Sequence, residues 1–172
     1  MSNSNPISTP LDVNVKVSKQ QCPTSEDERN KMLGIPYQSA VGALMYAMLG
    51  TRPDIAYAIT TLSQYCNNPG YVHWVALKHV LRYIRGTMNY KLTYGNIGNI
   101  GNVNNVNNVG NNNNTNLVHG YCDADWGSNI DDRKSITGYV FLIHGGAVSW
   151  QAKKQPTVAL SSVEAEYMSA TQ

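Results

Sequence analysis

Apolar and polar positions follow two periods along this chain, one after the other. Up to Arg85 the apolar residues recur at helical spacing. Ser25-Glu26-Asp27-Glu28 reads as a helix opening, a capping hydroxyl followed by first-turn acids, with Arg29 and Lys31 later and Gly34 and Pro36 as its stop. Over 37–49, Val41, Leu44, Met45 and Met48 form an apolar stripe. Small Ala40, Gly42, Ala43 and Ala47 permit close packing there, and Gly50 ends the run. Thr51-Arg52-Pro53-Asp54 restarts a helix, with Thr51 as cap and Pro53 and Asp54 in the first turn; Ile55, Ile59, Leu62 and Tyr65 supply its stripe. Asn67-Asn68-Pro69-Gly70 breaks it. The run 73–85 is the best-marked helix: Trp74, Leu77, Leu81 and Ile84 predict its buried side, and Lys78, Arg82 and Arg85 form a basic stripe beside them.

Beyond residue 90 the period becomes two. Tyr90-Lys91-Leu92-Thr93-Tyr94 alternates and predicts a strand. Leu117-Val118-His119-Gly120 leads into Tyr121-Cys122-Asp123-Ala124-Asp125-Trp126-Gly127, a strand ending in acids. Residues 135–143 predict a second strand, His144-Gly145-Gly146 a hairpin turn, and 147–152 a third strand with Val148 and Trp150 on one face. Ser161-x-x-Glu164 is a capping box, followed at helical spacing by Val163, Tyr167 and Ala170. The order is helices, then β-β-β-α, which makes the fold class α+β.

Between the two halves, residues 96–116 hold twelve asparagines in a near-triplet repeat. A period of three fits neither helix nor strand, so this stretch predicts a flexible low-complexity linker. The domain reading is therefore an extended leader with a short helix over 1–36, a helical unit over 37–95, the linker over 96–116, and a β-rich unit over 117–172. Residues 1–24, polar and with three prolines, are expected to stay loose or to pack on something outside the chain.

Charge adds a second asymmetry. Net charge is only +2, but 37–95 carries Arg52, Lys78, Arg82, Arg85 and Lys91 against the single acid Asp54. The last part carries Asp123, Asp125, Asp131, Asp132, Glu164 and Glu166 against Arg133, Lys134, Lys153 and Lys154. A basic half followed by an acidic half suits a duplex-gripping module joined to a metal site. Cys22, Cys66 and Cys122 are widely spaced and odd in number, which argues against a disulfide partner or structural zinc and for a reducing compartment. No apolar run approaches a membrane span. His73 and His79 read as helix-surface residues, and Asp131-Asp132 as a charged loop.

The chemistry lies with the acids. Mg²⁺ takes hard oxygen ligands, and two such ions clamp the attacking and leaving oxygens of a phosphodiester. An acid at a strand end, Asp123, and an acid one turn into a following helix, Glu166, are placed to share an ion, with Asp125 as an outer ligand. Lys78, Arg82 and Arg85 are spaced to follow a phosphate backbone, although basic helix faces are more often simply solvated. Turn-forming aspartates and a surface glutamate remain the plain alternative for the acids.

The chain resembles the Pol polyprotein of copia-type LTR retrotransposons, from the end of the reverse transcriptase into ribonuclease H. Seven blocks carry the likeness: 36–42 (Pro-Tyr-Gln-Ser-Ala-Val-Gly), 51–58 (Thr-Arg-Pro-Asp-Ile-Ala-Tyr-Ala), His73-Trp74 with 81–87, 121–126, 135–141, 149–155 and 159–167. The resemblance implies thumb- or connection-like helices over 37–95 and an incomplete RNase H-like fold over 117–172. It implies Asp123 and Glu166 as the first two catalytic acids, with Mg²⁺ or Mn²⁺ as cofactor. The implied partners are an RNA–DNA hybrid or other nucleic acid and the rest of Pol; the implied location is a cytoplasmic virus-like particle, with the nucleus as an alternative. Departures are the missing polymerase palm and a third aspartate not reached by Gln172. The expectation is an inactive fragment with a bare strand edge and a loose C-terminal half. The alternatives are a non-catalytic nucleic-acid-binding module and a regulator that associates with intact reverse transcriptase.

Overall fold

The computed structural model describes residues 4–12, 14–94 and 118–172. The asparagine-rich linker at 96–116 lies outside the described residues. The architecture is α+β: a helical layer of α1 (Glu26–Met32), α2 (Tyr37–Gly50), α3 (Ala56–Ser63) and α4 (Tyr71–Gly86), then an antiparallel sheet of β1 (Val118–Ala124), β2 (Ile136–Ile143) and β3 (Gly146–Lys154), then α5 (Ser162–Ala170). No single helix among the described residues is long and apolar enough to cross a membrane.

Local chemistry sets these boundaries. Ser25 caps α1: its Oγ accepts the Glu28 N–H at 3.3 Å, and the Glu28 carboxylate accepts the Ser25 N–H at 3.2 Å. The Thr24 N–H, which donates to the same carboxylate at 2.9 Å, and the Ser25 N–H hold the Glu28 carboxyl below its usual range. Gly34, with φ 78°, ends the segment. The turn after α2 departs from expectation: Arg52, not Thr51, is the cap residue, and Pro53–Ile55 form a 3₁₀ turn that feeds α3. Arg52 grips Asp54 at 2.7 Å and reaches the Thr87 hydroxyl at 2.6 Å, so one side chain closes both the α2–α3 turn and the end of α4. Burial pushes the Asp54 carboxyl up, but the hydrogen bonds from Arg52 and Tyr83 outweigh it and hold it low.

The helical core is built from Tyr37, Val41 and Leu44 of α2, Ile59 and Leu62 of α3, and Leu77 and Val80 of α4. Tyr37 donates its hydroxyl to the Leu62 carbonyl at 2.9 Å, which satisfies the one polar group it brings inside. The buried face of α4 is His73, Ala76, Leu77, Val80 and Tyr83; of the expected stripe only Leu77 is fully buried, while Trp74, Leu81 and Ile84 are half-buried beside it.

In the sheet β1 pairs with β2, and β2 with β3. The β2–β3 turn is His144-Gly145, with φ of 50° and 78°, the positive pair that a two-residue hairpin needs. Tyr90–Tyr94 is not a strand. It runs past the start of β3 without a ladder, and Tyr94 donates its hydroxyl to the Ala147 carbonyl at 2.7 Å. The sheet lies against the helices through β3: Thr60 donates to the Ala152 carbonyl at 3.0 Å and the Trp150 indole to the Met48 carbonyl at 2.9 Å. The leader also packs within the chain, with Ile7, Leu11 and Val17 set against the helical core.

Candidate functional site

Asp123 is the penultimate residue of β1 and is exposed; its Oδ1 accepts the N–H of Ala124 at 2.9 Å. Glu166 lies in the second turn of α5, exposed, and its carboxylate has no hydrogen bond or ion pair among the described residues. What brings the two elements together is Ser169, one turn beyond Glu166. It is buried, and its Oγ donates to the main-chain carbonyl of Asp123 at 2.8 Å. Nothing in the residue pattern singled out Ser169; a small hydroxyl one turn after the second acid was the available signal.

Gln155 makes a second tie. Its amide Nε2 donates to the Thr137 hydroxyl and to the Ala165 carbonyl of α5, each at 3.0 Å, deep in the interior. Gln155 Oε1 is buried without a partner. These bonds also show which side of the sheet α5 covers. Thr137 faces α5; Asp123 pairs with Gly138, the next residue of β2, so the pleat sends its side chain to the opposite face. An ion shared by Asp123 and Glu166 would therefore sit around the outer edge of β1, which pairs only with β2 among the described residues.

The donor chemistry separates the three acids. Asp123 keeps Oδ2 and Glu166 keeps both oxygens for a hard cation, so both fit one. Asp125 already uses both of its oxygens as hydrogen-bond acceptors. β1 ends at Ala124, and the Asp125 carboxylate closes the following loop by accepting the Ile136 N–H and the Ser128 hydroxyl. Among the described residues no group of three or more His, Cys, Asp or Glu side chains gathers. Asp131 and Asp132 belong to the loop. Asp131 accepts the Lys19 N–H with both oxygens, at 2.8 and 2.9 Å, and Asp132 pairs with Lys154.

The basic stripe on α4 is already engaged. Lys78 lies over the rings of Tyr71 and Trp74, 5.4 and 5.9 Å from their centroids. Arg82 donates to the Asn5 carbonyl at 2.7 Å, and Arg85 to the Ser4 carbonyl. His79 reaches the Thr9 carbonyl at 3.0 Å. His73 is not a surface residue: it is 0% exposed and caps α4 from within, as Nδ1 accepts the Gly70 N–H at 2.8 Å. Cys22, Cys66 and Cys122 are free thiols.

Comparison with known proteins gives several relatives, and transposon Pol polyproteins are among those matched over nearly the whole chain. It is 47% identical over all 172 residues to the retrovirus-related Pol polyprotein from transposon TNT 1-94 of Nicotiana tabacum, of which it spans 12%. It is 36% identical over 166 residues to the retrovirus-related Pol polyprotein from transposon RE2 of Arabidopsis thaliana, of which it spans 10%. It is also 46% identical over 137 residues to Secreted RxLR effector protein 161 of Plasmopara viticola, covering 85% of that shorter protein. No family model matches the chain, and no solved structure matches it.

Proposed function

We propose that this chain, which spans 12% and 10% of the copia-type transposon Pol polyproteins it resembles, is a segment of such a Pol polyprotein, the stretch where reverse transcriptase runs into ribonuclease H. In this reading 37–95 are thumb- or connection-like helices, and 117–172 open an RNase H-like fold. The observation that carries it is the Ser169–Asp123 bond, which fixes the helix bearing Glu166 to the strand end bearing Asp123. The β-β-β-α order supports the same reading.

Asp123 and Glu166 are the residues that would hold the metal. When bound, Mg²⁺ or Mn²⁺ supplies Lewis-acid stabilisation of the phosphodiester and a nucleophilic water. The chain's own part is to fix the two carboxylates through Ser169 and Gln155, and to offer Lys78, Arg82 and Arg85 to the phosphates of an RNA–DNA hybrid. Among the described residues Asp123 and Glu166 make two carboxylates, fewer than a two-ion clamp needs, so in this reading the 172-residue chain has no activity by itself and acts within a longer Pol. The cytoplasmic virus-like particle is then its working place, with the nucleus as the alternative.

The test is Mg²⁺-dependent cleavage of a hybrid carrying a labelled RNA strand. It is run with the 172-residue chain and with a full-length TNT 1-94 Pol in which this segment replaces its own. Cleavage by the full-length chimera alone, lost in Asp123→Asn and in Glu166→Gln, is the expected result. A chimera that cleaves undiminished with Asp123→Asn would overturn the site. Cleavage by the 172-residue chain, abolished by the same substitution, would overturn its inactivity.

A further inference from the structure

The leader is held to the helices through its own backbone carbonyls. Arg85 donates to Ser4, Arg82 to Asn5 and His79 to Thr9; further along, Tyr65 donates to Val17 and His73 to Ser18. Between these bonds Ile7 and Leu11 press into the helical core. The fit is close at Gly86, where an added Cβ would stand 3.1 Å from Pro6 Cβ and 3.4 Å from the Ile7 carbonyl. Arg82 thus donates to a neutral peptide oxygen, and so does Arg85 through one of its N–H groups. A guanidinium bonds a charged phosphate oxygen more strongly than a neutral carbonyl, and often with two N–H groups at once. The leader lies where a phosphate backbone following α4 would have to lie.

We propose that residues 4–12 form a self-docked strap that masks the Arg82–Arg85 face of α4, and that strap and nucleic acid compete for that face. The proposal rests on reading the α4 stripe as a phosphate contact. Hybrid binding by this segment is then weak while the strap is down and rises when it leaves. The contact is sequence-independent on both sides: backbone carbonyls in one state, phosphates in the other.

Gly86→Leu tests this without altering any charge, because the larger side chain wedges the strap off. A second variant, with Ser4–Asp12 replaced by a glycine–serine repeat, removes the Ile7 and Leu11 anchors and opens the face independently of the wedge. The probe is a fluorescent 20-base-pair RNA–DNA hybrid, read by anisotropy across a salt series, with amide exchange over 5–12 reporting release. Both variants should bind about tenfold more tightly at low salt, with a log–log salt slope steeper by about two, for two phosphates gained. A peptide of residues 4–12 added in trans should reverse the gain. An open strap with unchanged affinity would overturn masking. If binding then still falls on Arg82→Gln/Arg85→Gln, the phosphate reading of the stripe survives that failure. If the opened chain does not bind at low salt at all, the stripe reading itself is wrong.

Discussion

His73 sits where the leader, α3 and α4 meet. Its Nδ1 accepts the Gly70 N–H, so Nε2 carries the proton and donates to the Ser18 carbonyl at 3.1 Å, and the ring stacks on Tyr65 with centroids 4.1 Å apart. Burial pulls its pKa below the ordinary 6.5; the Ser18 carbonyl and the Asp131 carboxylate pull the other way but less. The native state therefore prefers the neutral ring, while the unfolded state takes up a proton near 6.5. Stability is full above that value and is lost as pH falls from it through the lower native value. Urea titrations at pH 7.5 and 5.5 should show this loss, and His73→Gln should reduce it; an equal pH dependence in both proteins would remove His73 as its source. Gly70 answers to the same corner, because a Cβ there would lie 1.9 Å from the Gln21 carbonyl oxygen. Gly70→Ala should destabilise by roughly 2–4 kcal/mol, since the clash is with backbone that cannot swing away. A loss below about 0.5 kcal/mol, the level of an ordinary surface change, would show that the leader yields freely there.

At the scale of elements, most boundaries were legible because they rest on local chemistry: the Ser25 cap, the Asn67–Gly70 break and the His144-Gly145 turn act within four residues. What failed were assignments that depend on a partner distant in sequence. Tyr90–Tyr94 alternates as a strand does, but no neighbouring strand takes its backbone, so the pattern stays irregular. The buried side of α4 was misphased because its contacts favour His73 and Tyr83, polar-tipped residues whose polar atoms find partners inside. In α5 the expected apolar positions Val163 and Tyr167 are 76% and 72% exposed; small Ala165 and Ser169 face the sheet instead. The strand end that carries Asp123 and the helix that carries Glu166 were readable from local pattern, whereas the Ser169 and Gln155 ties between strand, loop and helix were not. Ser169→Ala removes the hydroxyl bond to Asp123, worth about 1 kcal/mol, and should speed amide exchange in α5 about fivefold while leaving α2–α4 unchanged. Equal exchange in α5 would mean that Gln155 alone holds the helix.

For the whole molecule, the question is whether helices and sheet unfold together. Three strands and one helix bury too little surface to be robust alone, and the contacts that close this deficit come from the helical layer. Trp150 donates to Met48 in α2, Gln64 Oε1 accepts from both Lys154 and Asn129 at 2.9 Å, and Asp131 takes the Lys19 N–H and the Tyr65 hydroxyl. Lys154 and the Lys134 N–H hold the Asp132 carboxyl low against the upward push of burial, so that loop is tied on both sides. These bonds link the leader, α3 and the β1–β2 loop at one junction. Urea unfolding of the full chain, followed by far-UV circular dichroism and by the fluorescence of Trp74, Trp126 and Trp150, should therefore give one coincident transition. Asp131→Ala removes the acceptor of the exposed Lys19 N–H and of the Tyr65 hydroxyl and should cost about 1 kcal/mol, with the midpoints shifting together. Two separated transitions in the unmodified chain would mean that the junction bonds do not couple the layers, and that the sheet unit stands or falls apart from the helices.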